Sequence, residues 1–303
     1  VLESLPGESE QIKERITQRI EADYSVMMAD GSRYRVNVYY SLGRMSAVFR
    51  VIPNRILGFD EIGIPFEPAI RRALSQKNGL ILVTGPTGSG KSTTLASMVD
   101  WLNSNREIHI ITIEDPIEFF HTPRRAIISQ REVGGDTASF SSALRAVLRQ
   151  APDVILVGEM RDLETAQAAI SAAETGHLVM GTLHTNSAPE TVERLVDMFP
   201  EGARGLVRSQ LARTLRLIIS QILVPRKDRP GRVLIYEIMT QTPATRALIR
   251  EGKTAQLKDA INQGNKHGMI SMNRILENYA RDEVISAEDA ESILSTIGEG
   301  VSR

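Results

Sequence analysis

The chain has 303 residues, 42% of them hydrophobic and 24% charged, enough for roughly two domains with proper cores. Its 36 basic residues nearly cancel 37 acidic ones and it has no cysteine. This excludes a strong electrostatic footprint for nucleic acid, as well as disulfides and thiolate metal sites. The longest apolar run, Leu215–Val224, is interrupted by Arg216, Ser220 and Gln221 and is too short to span a membrane, and no signal peptide opens the chain, so a cytoplasmic protein is expected.

After a loose start at Leu2–Pro6, Glu10–Ala22 places Ile12, Ile16 and Ile20 at four-residue spacing among charges, which predicts one amphipathic helix. The period then changes. Tyr24–Met28, Arg33–Tyr39 and Met45–Val51 read as strands, the first two joined by a turn at Asp30-Gly31. They make a small α+β module over residues 1–52. Pro53–Pro68, rich in Pro and Gly, is expected to be a linker, and Ala69–Ser75 resumes a helical pattern.

A β/α alternation follows. Leu80–Thr84, Ile108–Ile113, Val154–Val157 and Leu178–Leu183 are short apolar runs bounded by turn residues, the pattern of buried parallel strands. Between them Ala166–Glu174 reads as a helix, with Asp162 as N-cap and Gly176 as its close. From about Glu190 the chain is expected to be mostly helical apart from Ile222–Val224 and Val233–Ile238.

Four stretches carry chemistry. Gly85-Pro-Thr87-Gly88-Ser89-Gly90-Lys91-Ser92 follows an apolar strand and opens the helical run Thr93–Leu102, the context in which a Walker A loop cradles phosphates. Its glycines free backbone N–H groups to curl around a β-phosphate and the helix N-terminus adds its dipole. Lys91 is expected to reach the β- and γ-phosphates, and the Ser92 hydroxyl to ligate Mg²⁺.

Such a loop needs an acidic residue on a neighbouring strand, and Glu159 closes the run Val154–Gly158, which makes it the metal-side carboxylate. Glu114, Asp115 and Glu118 follow the strand Ile108–Ile113, at the strand ends where open α/β sheets bind ligands, and one of them is suited to orient an attacking water. His184, in Gly181-Thr-Leu-His-Thr-Asn186, is placed to sense a γ-phosphate. His177, seven residues earlier, falls on the opposite face of a strand, which argues against a two-histidine metal site.

In order and spacing these four motifs resemble the secretion ATPase superfamily of type II secretion and type IV pilus motors, from about Glu21 to the C-terminus. They correspond to its Walker A loop, its Asp box (Ile113–Glu118), its atypical Walker B (Val154–Asp162) and its His box (Gly181–Asn186). The lack of cysteine sets the chain apart from extension and type II motors with a four-cysteine zinc element. Ala244–Glu251 is similar to the retraction branch's Ala-Ile-Arg-Asn-Leu-Ile-Arg-Glu, departing at Thr245 and Ala247.

The resemblance implies a RecA-like P-loop ATPase domain over residues 69–303 with a helical C-terminal part. A partial, PAS-like α+β domain that normally begins further upstream would precede it. ATP and Mg²⁺ would bind at Gly85–Thr93. Glu118 rather than Glu114 would activate water, and Arg35, Arg50 and Arg194 would face the phosphates, with Arg33 an alternative to the first pair. The family further implies a homo-hexamer that drives pilus retraction and twitching motility at the cytoplasmic face of the inner membrane. Its partner would be a membrane platform protein, with no nucleic acid involved. The rival readings are an extension or secretion motor, and a nucleotide-sensing protein that would need neither Glu118 nor Glu159.

Overall fold

The computed structural model describes residues 10–52, 55–66 and 68–299; the expected loose start at Leu2–Pro6, and Pro53, Asn54 and Glu67 of the expected linker, lie outside them. The chain divides into two compact units. One comprises the residues up to Ile56 together with the short segment Pro116–Phe120, the other Leu57–Asp115 and the residues from His121 onward.

The first unit opens with helix α1 (Glu10–Thr17), followed by β1 (Ala22–Met27), β2 (Arg33–Ser41) and β3 (Arg44–Ile52) in an antiparallel sheet of order β1-β2-β3. The expected helix is shorter than its isoleucine spacing suggests. Arg19 turns to φ 59° and Ala22 already begins β1, so Ile20 does not continue the helix. Alternation on β1 and β2 buries Ala22, Tyr24, Val26, Val36 and Val38, with Ile12 and Ile16 packed on them. Leu42 and Gly43, both at positive φ (48° and 75°), make the tight β2–β3 turn.

The second unit holds a seven-stranded sheet. Its strands are β4 (Gly79–Thr84), β5 (His109–Glu114), β6 (Ile127–Glu132), β7 (Val154–Val157), β8 (Leu178–Leu183), β9 (Leu215–Pro225) and β10 (Arg232–Thr240). Their order is β10-β9-β4-β8-β7-β5-β6, parallel throughout except for the antiparallel edge pair β9–β10. The helices are α2 (Phe59–Ile62), α3 (Ala69–Leu74), α4 (Lys91–Asn105), α5 (Phe140–Val147), α6 (Leu163–Glu174), α7 (Ala188–Asp197), α8 (Glu201–Thr214), α9 (Pro243–Glu251), α10 (Leu257–Gln263), α11 (Met272–Arg281) and α12 (Ala287–Glu299).

Successive strand residues serve opposite faces. Leu80, Leu82, Ile155, Val157 and Ile218 pack with α5 to α8, whereas Ile81, Val83, Leu156, Leu217 and Ile219 pack with α3, α4 and α11. Both faces are covered, which is why the parallel strands read as unbroken apolar runs.

The structure adds detail to the expected elements in three places. The expected linker contains a helical turn, α2, with Phe59 buried. Residues 127–132 form the edge strand β6, whose sequence Ile-Ile-Ser-Gln-Arg-Glu lacks an apolar period. The strand expected at Ile222–Val224 is the end of the eleven-residue β9.

Candidate active site

The sheet order sets out the site. The C-terminal ends of β4, β8 and β7 stand side by side and β9 extends past them, with Thr84 in register with both Ser220 and Leu183, and Gly181 with Val157. The Gly85–Ser92 loop after β4, His184 after β8 and Glu159 just past β7 are therefore neighbours, and Gln221, next to Ser220 within β9, runs alongside the loop.

Backbone constraints shape the loop. Gly90 adopts φ 89° and caps α4, so Lys91, Ser92 and Thr93 form the helix's first turn, where N–H groups lack intrahelical partners. Gly85, at φ 144°, lies against β9; a Cβ there would fall 2.1 Å from the Gln221 carbonyl oxygen. No side chain fits. Lys91 Nζ donates to the Gly85 and Pro86 carbonyls at 2.8 and 3.0 Å and stands 3.5 Å from His184 Nδ1.

The acidic edge is charged and tightly linked. Glu159, its side chain 17% exposed, receives Arg161 Nε at 2.7 Å and His184 Nε2 at 3.0 Å on the same oxygen. The hydrogen bond and charge of Glu159 raise the Arg161 pKa above its ordinary value, with Asp115 adding to the effect. His184 thus stands between Lys91 on one ring nitrogen and Glu159 on the other. Thr182 Oγ1 donates to the Gly158 carbonyl at 2.5 Å and ties β8 to the Glu159 turn.

A chain of buried hydroxyls runs beneath the loop. Thr84 donates to Ser220 at 2.9 Å, Thr191 reaches Thr84 at 3.5 Å, and Thr185 meets Thr191 at 2.7 Å. Glu237, buried on β10, accepts from Ala188 N–H at the start of α7, and burial raises its pKa.

The whole arrangement can be set beside known proteins. Residues 14–283 match the family of type II/IV secretion system proteins. The chain belongs to that family.

Its relatives in the family include the type IV pilus retraction ATPase PilT of Pseudomonas aeruginosa, 49% identical over 271 residues, which are 89% of this chain and 78% of that protein. The twitching motility protein of Neisseria gonorrhoeae is 46% identical over 90% of this chain and 72% of its own length. Among solved structures, the pilus retraction motor PilT with bound ADP superposes with a TM-score of 0.87 at 46% identity, covering 93% of this chain and 80% of that one. The fold is thus the RecA-like α/β fold of the secretion ATPases.

The other residues read from the sequence are distributed between the two units. Glu114 accepts from Thr112 Oγ1 at 2.7 Å and from Gln130 Nε2 at 3.3 Å. Glu118 lies in Pro116–Phe120, the segment grouped with the first unit. Arg35 and Arg50 are cross-strand partners on β2 and β3, and Arg35 makes a forked pair with Asp23 at 2.6 Å. Arg33 places its guanidinium over the Phe120 ring. Arg194 is exposed on α7. Asp162 caps α6 by accepting from Thr165 N–H at 2.8 Å.

The residues present suit a nucleotide and its metal. Gly88, at φ 79°, has nothing within 4 Å of where a Cβ would stand, leaving the tip of the loop open to a phosphate. Ser89 Oγ is buried and finds no hydrogen-bond partner among the described residues. No cluster of three or more His, Cys, Asp or Glu able to hold a metal occurs among the described residues. One hydroxyl (Ser92) and one carboxylate (Glu159) match a Mg²⁺ ion that takes its remaining ligands from phosphate and water.

Sequence reasoning did not assign Gln221 a role. It is 1% exposed and bonds to both the loop and α4. Its partners are 127 and 132 residues away, so no local pattern points to it.

Proposed function

We propose that the chain is the subunit of an Mg²⁺-dependent ATPase motor, a homo-hexamer that powers type IV pilus retraction from the cytoplasmic face of the inner membrane through a platform protein there. The observation that carries this reading is the convergence of Lys91, His184 and Glu159 on adjacent strand ends, in a chain 49% identical to a pilus retraction ATPase.

On this reading Lys91 exchanges the Gly85 and Pro86 carbonyls for β- and γ-phosphate oxygens. Ser92 and Glu159 would hold Mg²⁺, and the ion would supply neutralisation of phosphate charge there. Glu118 takes a proton from water as the water oxygen bonds the γ-phosphorus and the bond to the β,γ-bridging oxygen breaks, giving ADP and phosphate. The hydrogen bonds of Glu114 to Thr112 and Gln130 suit a support and favour Glu118 as the base. Arg35, Arg50 and Arg194 neutralise charge on the transferring group, and Arg35 must give up Asp23 to do so. His184, facing Lys91, registers whether a γ-phosphate is present. The backbone N–H groups of Thr87–Thr93 line the phosphates.

Two measurements test this. Mg-ATP turnover per protomer is expected to rise steeply with protein concentration, as a site completed by assembly requires, with Glu159→Ala at the blank. No turnover above that blank overturns the enzyme reading. Expressed in a piliated strain lacking its own retraction ATPase, the chain should restore twitching and reduce surface pili. A strain that stays hyperpiliated and immotile overturns the retraction role.

A further inference from the structure

Successive residues in the middle of β9 reach opposite faces of the sheet: Ser220 bonds Thr84 on the α7 face, and Gln221 turns to the α4 face. Both ends of the Gln221 amide are engaged there. Its Nε2 donates to the Ser89 carbonyl at 2.8 Å and its Oε1 accepts from Thr94 Oγ1 at 2.9 Å. A carbonyl only accepts, so Ser89 fixes which end of the amide faces the loop. A Cβ at Gly90 would stand 3.3 Å from the same Nε2, so the amide lies close against the loop where it turns into the helix.

We propose that Gln221 is a positioning residue for nucleotide binding, which sets the direction of the loop's phosphate-facing N–H groups; the proposal rests on the phosphate-loop reading above. The reason lies in the planar trans peptide, whose C=O and N–H point to opposite sides. By drawing the Ser89 carbonyl toward β9, Gln221 turns the Gly90 N–H away from β9, toward the space the loop encloses. By holding Thr94 it fixes the first turn of α4, whose free N–H groups share that task. One amide thus clamps the loop and the helix N-terminus to each other. It touches no reacting atom, so its contribution is to binding rather than to the chemical step.

The test measures the dissociation constant of a fluorescent ADP analogue, the KM and kcat for ATP, and Tm, in Gln221→Met, Gln221→Glu, Thr94→Val and Ser220→Ala. Gln221→Met keeps the volume and removes both hydrogen bonds; it is expected to weaken ADP and raise KM about tenfold while kcat stays within about twofold. Gln221→Glu keeps the acceptor for Thr94 but cannot donate to Ser89, so it should lose at least as much affinity. Thr94→Val, which leaves the Ser89 bond in place, should lose about threefold and covers the case in which the Gln221 variants do not fold. Ser220→Ala removes an equally buried bond that reaches neither Ser89 nor Thr94 and should lower Tm without a matching loss of ADP affinity.

Folded Gln221→Met or Gln221→Glu that binds ADP like the wild type overturns the proposal, as does an equal affinity loss per degree of Tm in Ser220→Ala. Failure of the wild-type chain to bind ADP at all would instead overturn the phosphate-loop reading.

Discussion

On the β9 side of the phosphate loop the supports are neutral and buried, whereas on the β7 side they are charged and half open to solvent. Thr84, Thr191, Ser220 and Gln221 are each at most 1% exposed. By contrast the side chains of Arg161 and His184 are 74% and 41% exposed around Glu159. Buried hydrogen bonds are costly to break because a lost partner leaves a desolvated group, about 1–3 kcal/mol each. Exposed ion pairs are worth about 0–1 kcal/mol and are screened by salt. The lesson is a division of labour: on the proposed function, the cradle that receives phosphate is fixed in advance, and the edge that answers to its charge is inexpensive to rearrange.

The strongest test of that division is Lys91→Ala, since this side chain bonds the loop and faces His184. ATP turnover should fall at least about a hundredfold while the circular dichroism spectrum and Tm stay near wild type. Persistent turnover would remove the site assignment altogether.

Next comes acid stability. His121, away from these two sides, is a largely buried ring whose pKa burial lowers from 6.5 to about 4. The unfolded chain therefore binds more protons between those values. The stabilising contribution is complete above pH 6.5 and is lost as pH falls toward 4, to the extent of about 3 kcal/mol. Urea midpoints across this range should show a flatter acid slope in His121→Gln, and an unchanged slope would mean the ring is not a neutral buried support.

The smallest effect is also the most discriminating. Arg161→Ala should change unfolding free energy by less than about 1 kcal/mol, and Thr191→Val by about 1–3 kcal/mol. Equal costs in urea titrations would erase the contrast between the two sides.

This contrast also explains what the sequence revealed. The charged side was legible because Glu159, His184 and the Gly85–Ser92 loop each sit at the end of an apolar run, and strand ends are where such residues gather. The strands β7 and β8 were read with their observed limits because burial on both faces leaves an uninterrupted apolar signal. The neutral side was hidden by its own chemistry. Ser220 and Gln221 interrupt the apolar run of β9 as polar residues with no pattern of their own, while their partners lie more than a hundred residues away. The edge strand β6 was missed for a different reason: its last four residues, Ser129 to Glu132, are half-buried polar groups with no apolar alternation to announce a strand.

The grouping of Pro116–Phe120 with the N-terminal residues bears on modularity. A protein whose units are consecutive can be divided at one peptide bond, by protease, gene fusion or recombination. This one cannot. Severing the chain between Ile56 and Leu57 would leave Glu118 and Phe120 on the piece from Leu57 onward while removing the residues they are grouped with, including the Arg33 that covers Phe120. The two units are thus interleaved along the chain, and an isolated fragment begun at Leu57 would inherit Pro116–Phe120 without the residues it is grouped with.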